Sequence, residues 1–505
     1  MKKYTFLLLI ATVLTLVSCR KDFNFEPSSG SDLSFSRDTV YLDTIFSNIG
    51  SSTYTLKVYN KTNNDIKIPS LKLGKGENSN FRLMVDGIPG KVFNNVELLA
   101  KDSMYIFVET TVDIHSLTNE NEFIYTDQIQ FTSGSKSQNV ELVTLVKDAV
   151  FLYPQKFADG SKETLPLNGD EIEGFYLDEN DPINGNELVW TNTKPYVIYG
   201  YAAVPPNKTL EVKPGAQIHF HDNSGLLVAN NGNINVTGTI ENPIVFQGDR
   251  LEPVFENVPG QWGAIWLTVG SKGNFENAII KNATVGLLVN KNQSTVNLHN
   301  LQVYNASDFG ILGRAADLYG TNVVTNNCGQ AALACTFGGS YHFIQSTFGN
   351  YWNKPNQTSV VIDDYDGTSE FAIQKALFQN CIIYGSSSES LIMNMKGNQN
   401  NFNIKFENSL IKFVDYSNQV FGRFPYDFNN SAYFSNCLIA RTSTQFRPYF
   451  KNPNKNEMMI TDKATDLIGI GNVNFAQQVP FDILGKSRIP NPDLGAYQNI
   501  SETQE

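Results

Sequence analysis

The densest group of side chains able to bind or react is Asp363-Asp364-Tyr365-Asp366, which follows Tyr341, His342, Tyr351 and Trp352 in the chain. Carboxylates beside aromatic rings suit a saccharide, because rings cover its apolar faces while acids accept its hydroxyl protons. The same acids could hold a hard cation such as Ca2+. The site residues named on this reading are Tyr351, Trp352, Asp363, Asp364 and Asp366; the alternative is a polar turn flanked by core aromatics. Other chemistry-bearing residues are sparser. His219 and His221 share one strand face but need further ligands to hold a metal. Asp170-Glu171-Ile-Glu173 and Asp178-Glu-Asn-Asp181 lack the fixed spacing of a calcium loop, and Arg314 with Asp317 reads as a surface ion pair. No glycine-rich phosphate loop, nucleophile elbow, HExxH or CxxC is present. No catalytic residue, metal site or required cofactor is therefore assigned.

What must position these groups is a short phrase that recurs from Phe275 to Ile439. It begins as Phe275-Glu-Asn-Ala-Ile-Ile280 and Leu298-His-Asn-Leu-Gln-Val303, with variants at Leu318–Val323, Phe343–Phe348, Phe378–Ile383, Phe406–Ile411 and Phe434–Ile439. The third position is Asn, once Gly (Gly320) and once Gln (Gln345). A continuous strand alternates its faces with period two, and the apolar positions here slip by one at the Asn. Asn tolerates the left-handed conformation, so Asn277, Asn300, Asn380, Asn408 and Asn436 are expected to turn the chain between two short strands that both face inward. A second polar series follows at Asn282, Asn305 and Asn326-Asn327. Spacing of roughly 20 to 35 residues is that of stacked repeats, and each phrase would be one rung of a parallel β-helix. The gap from Gln345 to Asn380 is the longest, so it holds either an extra loop or a hidden rung. Loops there would bring Trp352 and the Asp cluster to one side of the stack.

This passage resembles the right-handed parallel β-helix, pectate-lyase-like family, in which such Asn residues stack along one corner. The order Gly238-Thr-Ile-Glu-Asn-Pro-Ile-Val-Phe246 then Gln261-Trp-Gly-Ala-Ile-Trp266 resembles the opening of bacterial right-handed β-helix lipoproteins, and Pro492-Asp-Leu-Gly-Ala-Tyr497 resembles the closing strand of many secreted β-helix proteins, with Leu494 where those have Ile. The resemblance implies an all-β helix over residues 195–500, with a C-terminal cap from about residue 440. Cys381 and Cys437 fall at one inward position with Ser409 between them. Two rungs at about 4.8 Å hold their sulfurs beyond disulfide reach, so both read as buried core residues.

The N-terminus carries Lys2, Lys3 and an apolar stretch Phe6–Val17 ending in Leu16-Val17-Ser18-Cys19. It resembles a bacterial lipoprotein signal peptide, which implies cleavage before Cys19 and lipidation of its thiol. Arg20-Lys21-Asp22 loosely resembles an export tag of Bacteroidetes-like surface lipoproteins. The implied location is the outer membrane, on either face. Residues 20–32 read as a flexible tether. From 33 to 150, short alternating strands separated by Asn, Gly and Ser turns imply an antiparallel β-sandwich. Asp38-Thr-Val-Tyr-Leu-Asp, Leu56-Lys-Val-Tyr-Asn60 and Tyr105-Ile-Phe-Val-Glu109 resemble immunoglobulin-like domains of the abnormal-spindle/Hydin type. Residues 151–194 read as a bridging segment or N-terminal cap of the helix.

The formal net charge is -12, and loss of Lys2 and Lys3 with the leader takes it to about -14, which argues against nucleic acid as a partner. Three functions stay open: a non-catalytic envelope protein that binds polysaccharide or another envelope protein, a polysaccharide lyase or glycosidase, and a passive scaffold. An enzyme needs acids and bases converging on neighbouring rungs, whereas the outward positions placed here are mostly Asn, Ser, Thr, Gln and Lys.

Overall fold

The computed structural model describes residues 25–28, 33–117, 123–133, 135–167, 169–292, 294–352, 354–416 and 419–499. The leader, Cys19 and most of the tether lie outside them. The chain divides after Asp148 into two compact units.

The first unit is a two-sheet sandwich. One sheet joins Ile66–Leu73, Val92–Leu98, Ile124–Ser133, Lys136–Lys147 and Thr39–Phe46; the other joins Leu33–Phe35, Tyr54–Asn60, Ser103–Thr110, Phe81–Val85 and Ile88–Gly90. Alternation decides which side chains enter the core. Leu56 and Val58, then Ile106 and Val108, are fully buried, while Tyr105 between strand partners stays half exposed. Ile66–Leu73 was hidden in the sequence by Pro69, which interrupts an otherwise alternating run.

The second unit is the parallel β-helix. Each rung supplies one strand to each of three parallel sheets. Tyr196–Ile198, Tyr201–Val204 and Thr209–Val212 pair with Gln217–Phe220, Gly225–Val228 and Asn233–Thr237 of the next rung, and the pattern repeats. The last strands in register are Leu410–Lys412 against Leu438–Ala440 in the first sheet, Thr358–Asp363 against Leu391–Asn394 in the second, and Phe402–Glu407 against Phe434–Ser435 in the third. The helix starts earlier than residue 195. Val150–Leu152, 174–176 and Val189–Trp190 already pair with the rung that begins at Tyr196, so 151–194 belongs to the stack. Strands of two or three residues are too short to show alternation in a sequence.

The corner between the third and first sheets is the Asn column. Asn277, Asn300, Asn322, Gln345, Asn380, Asn408 and Asn436 hold φ between 48 and 53°. At one phrase the expected turn is displaced. Gly320 lies inside a strand opposite Leu298 and Phe343, and Asn322 makes the turn. A Cβ on Gly320 would sit 2.3 Å from Phe343 Cδ1, so glycine is there to admit the ring. Inside, the Phe343, Phe378, Phe406 and Phe434 rings stack at centroid distances of 5.5, 5.0 and 5.3 Å. Each such buried ring contributes about 1.5–3 kcal/mol relative to exposure.

The segment from about 440 does not cap the end of the stack. It runs back along the outer face of the first sheet, where Met458, Ile460, Leu467, Ile483, Leu494 and Tyr497 cluster with Tyr304, Val324, Ile382 and Leu410. Asn322 donates to Phe481 O (3.0 Å), Arg488 Nη2 donates to Asn322 Oδ1 (2.7 Å), and Asn380 donates to Asn472 O (3.0 Å). Its Asn456 joins the second polar series, donating to Asn305 Oδ1 and accepting from Asn327. The physical cause is an outward face too apolar for water. The end of the core is covered instead by Phe421, Phe424, Tyr426 and Phe428, which pack on Phe402, Phe413 and Phe434.

Candidate functional cleft on the second sheet

Along the second sheet, consecutive residues of each strand are apolar. Leu287, Ile311, Leu333, Val360 and Leu391 enter the core. Their neighbours Leu288, Leu312, Ala334, Val361 and Ile392 form a ladder on the outer face, in register from rung to rung and continuous with Trp266. Strands buried on one face only would not read this way.

The lower part of this ladder floors a cleft of about 630 Å3. Phe309, Ala334, Val361 and Ile392 form the floor, and Gln330, Thr336, Asn356, Gln357, Ser387 and Ser388 stand around it. The walls are fixed by their own bonds. Gln357 donates to Trp352 O (3.1 Å) and Ser386 Oγ (2.6 Å), and Thr358 Oγ1 donates to Glu389 O (2.8 Å).

Two carboxylates line the cleft, Asp363 and Glu389. Burial raises the Asp363 carboxyl, against backbone N–H bonds from Phe337 and Tyr365 that lower it. Burial, and then Asp415, raises Glu389. The register decides what they can do together. Val360 lies opposite Leu391, so Glu389 lies beside Thr358, five residues from Asp363 along the strand. That is about 16 Å of extended backbone. Glycosidase carboxylates stand about 5–9.5 Å apart. The pair is therefore suited to holding a ligand at two points.

The five residues singled out in the sequence are not brought to one place. The rung from Gln345 to Asn380 holds no hidden rung; it has one strand in each sheet and two loops, 351–357 and 364–372, at opposite edges of the second sheet. Tyr351 is half-buried, edge-on to Phe450 of the returning segment at 5.8 Å. Tyr351 and Trp352 together line a separate hollow of about 380 Å3 with Pro259 and Lys354, away from the Asp cluster. Asp363 alone reaches the cleft. Asp364 is 1% exposed and accepts the amides of Lys396 and Gly397 at 2.8 and 2.9 Å, a structural task. Asp366 closes its own turn by accepting from Thr368 and Ser369. Among the described residues no group of His, Cys, Asp and Glu is placed to hold a metal. His219 bonds Gly248 O and His221 bonds Asp249. Arg314 lies over the Phe337 ring, while Asp317 accepts from Thr295. Cys328, Cys335, Cys381 and Cys437 are free thiols, and burial pushes Cys328, Cys381 and Cys437 up to about 12.

The residues the sequence reading missed are Phe309, Val361, Glu389 and Ile392. A signal was present in paired apolar residues such as Gly286-Leu-Leu, Gly310-Ile-Leu and Ser390-Leu-Ile, where one member had to face outward.

Comparison with known proteins bears mainly on the architecture. No curated protein matches the chain in sequence. Among solved structures, a family 123 glycoside hydrolase from Clostridium perfringens, described for glycolipid glycan hydrolysis, is 9% identical with a TM-score of 0.17, over 24% of this chain and 26% of that one. The chain thus spans about a quarter of that protein's length. The ASH/PapD-like domain 7 of human CEP192 is 11% identical over 26% of this chain and 96% of that domain, with a TM-score of 0.16. The catalytic domain of a GH87 alpha-1,3-glucanase is 12% identical over 70% of this chain and 81% of that one, with a TM-score of 0.20. None of these likenesses is close enough to carry over a residue or an activity. Residues 183–268 match the pectate-lyase-like beta helix domain family, and that match falls on the early rungs of the same three-sheet stack.

Proposed function

We propose that the second-sheet cleft binds an uncharged stretch of polysaccharide without cleaving it, on a protein held at the bacterial outer membrane by a lipid on Cys19. The observation that carries this reading is the apolar floor Phe309, Ala334, Val361 and Ile392 enclosed by side-chain amides and hydroxyls. Sugars present apolar C–H faces and a rim of hydroxyls, so such a cleft matches both surfaces at once. The immunoglobulin-like reading of the sandwich fits a spacing or docking module.

A polysaccharide-cleaving enzyme is the second reading, favoured by the raised Asp363 and Glu389 carboxyls. Their separation along the strand weighs against it. The test is a panel of neutral and charged glycans scored for both binding and product release, repeated with Phe309→Ala combined with Ile392→Asn. Both changed side chains face outward, so the core is untouched. A loss of at least tenfold in affinity for a neutral glycan, with no product, is expected. Wild-type affinity in the variant overturns the cleft as the site, and product release replaces binding by catalysis.

A further inference from the structure

The outer face of the third sheet is where ionisable groups from neighbouring rungs converge. Tyr319, His342, Leu377 and Lys405 lie in register, as do Gln379 and Glu407 beside them, and Ser340 lies opposite Lys375. The side chains form a chain of contacts. Gln379 Nε2 donates to Glu407 Oε2 (2.7 Å), which leaves its Oε1 facing His342 Nε2 at 2.9 Å. An amide oxygen can only accept, so Nε2 carries the imidazole proton and Nδ1 keeps its lone pair. Nδ1 faces the Lys375 ammonium at 3.4 Å. The Tyr319 ring stands edge-on to the imidazole at 5.2 Å.

Beside this chain opens a cleft of about 480 Å3, bounded by Lys375, Lys405, Gln399, Asn400, Asn403 and Tyr433. Two ammonium groups line it and no carboxylate does. Lys405 shares its charge with Glu407 at 3.3 Å. Lys375 has no carboxylate partner among the described residues; its neighbour is a neutral ring. In a chain of net charge -12, an acid-free cleft with an uncompensated ammonium is a local departure from the overall sign.

We propose that this cleft is a second ligand site, which takes an oxyanion (a carboxylate or sulfate ester borne by a polysaccharide, or a small free anion) on Lys375 and Lys405, with the amides of Asn400 and Asn403 as further donors. The site is independent of the second-sheet cleft. His342 tunes it. Its imidazole is held below the usual histidine value by burial, with Lys375 adding to the effect and Gln379 and Glu407 opposing it. A bound anion would favour the imidazolium, so by linkage affinity rises as the pH falls from 8 to 6. The groups facing His342 are Tyr319, Lys375, Gln379 and Glu407.

The experiment measures binding of dextran sulfate, polygalacturonate, inorganic sulfate and, as the uncharged control, dextran, to the full mature chain at two salt concentrations. Binding of either polyanion, weakened by salt and reduced at least tenfold in Lys375→Gln/Lys405→Gln, is expected. Competition by inorganic sulfate supports a site for the anion itself; binding by the polymer alone supports a site for the charged glycan. His342→Gln should bind at pH 8 like the wild type and lose the gain at pH 6. Both lysines point outward from a sheet whose core they do not enter, and an unchanged unfolding midpoint verifies the fold. Failure of both polyanions to bind, or equal binding by the double lysine variant, overturns the proposal. Neutral-glycan binding at the second sheet should survive that variant, so the two sites fail separately.

Discussion

Two members of the Asn column make different demands on their side chains, and this separates the backbone turn from the bonds built on it. Asn408 has φ 48°, is half-buried, and has no side-chain hydrogen bond among the described residues. Asn322 has φ 53° and is 1% exposed; it donates to Asn300 Oδ1 (2.9 Å) and Phe481 O and accepts from Arg488. Glycine keeps the left-handed turn at either site and removes only the side chain. Two neutral hydrogen bonds contribute about 1 kcal/mol each, and one from a guanidinium about 1.5–3 kcal/mol. Asn322→Gly should therefore cost about 4 kcal/mol, and Asn408→Gly less than about 1 kcal/mol. Asn408→Val keeps no side-chain bond either, but a β-branched residue in that conformation adds roughly 1–2 kcal/mol of strain. The assay is urea unfolding followed by tryptophan fluorescence and by far-ultraviolet circular dichroism. The reasoning is refuted if Asn322→Gly and Asn408→Gly are equally mild, or if Asn408→Val is no worse than Asn408→Gly.

Three further outcomes are expected. Gly320→Ala should destabilise by about 1–3 kcal/mol through overpacking against Phe343, and Phe343→Leu in the same chain should recover part of the loss; an undisturbed single variant would contradict the packing. The depressed His342 means that the native state binds fewer protons than the unfolded chain just below pH 6.5, so its contribution is present at pH 7.5 and lost as the pH falls through the folded value. The midpoint of His342→Gln should accordingly drop less than the wild type's between pH 7.5 and 5.5, measured by thermal unfolding, and parallel curves would remove the argument. Cys19→Ala should block lipidation and leave a soluble or unprocessed form on fractionation, whereas membrane association with unchanged mobility would count against the anchor.

The Asn column was legible because its cause is local: one residue type tolerates one backbone conformation, and the apolar slip around it marks the turn. The displaced phrase at Gly320 shows the limit, since Gly also suits a turn and only the neighbouring rung reveals that Phe343 needs the space. The cleft was less legible. Asp363 was named, but its partners Phe309, Glu389 and Ile392 come from two other rungs, one on either side, and choosing them requires the register. Trp352 and Asp363 looked adjacent in sequence, yet a six-residue strand between them carries each to a different edge. The returning segment was misplaced for a similar reason. Its apolar residues follow no period, because they match the outer face of the first sheet and not a rung of their own. Arg488 reads as a surface residue until Asn322, 166 positions earlier, is seen against it.

That separation has a consequence for how the protein is made. Synthesis proceeds at about 5–20 residues per second, so roughly 8–33 s pass between the ribosome adding Asn322 and adding Arg488. Through that interval the middle rungs can stack, yet the first sheet's apolar outer face at Tyr304 and Val324 still lacks its cover. The nascent chain thus carries an adhesive stripe that is concealed only by the segment after Ala440. A stop codon soon after that residue would leave the paired strands complete and the stripe permanently bare, so such truncations should be lost to aggregation and proteolysis even though every strand of the stack is present.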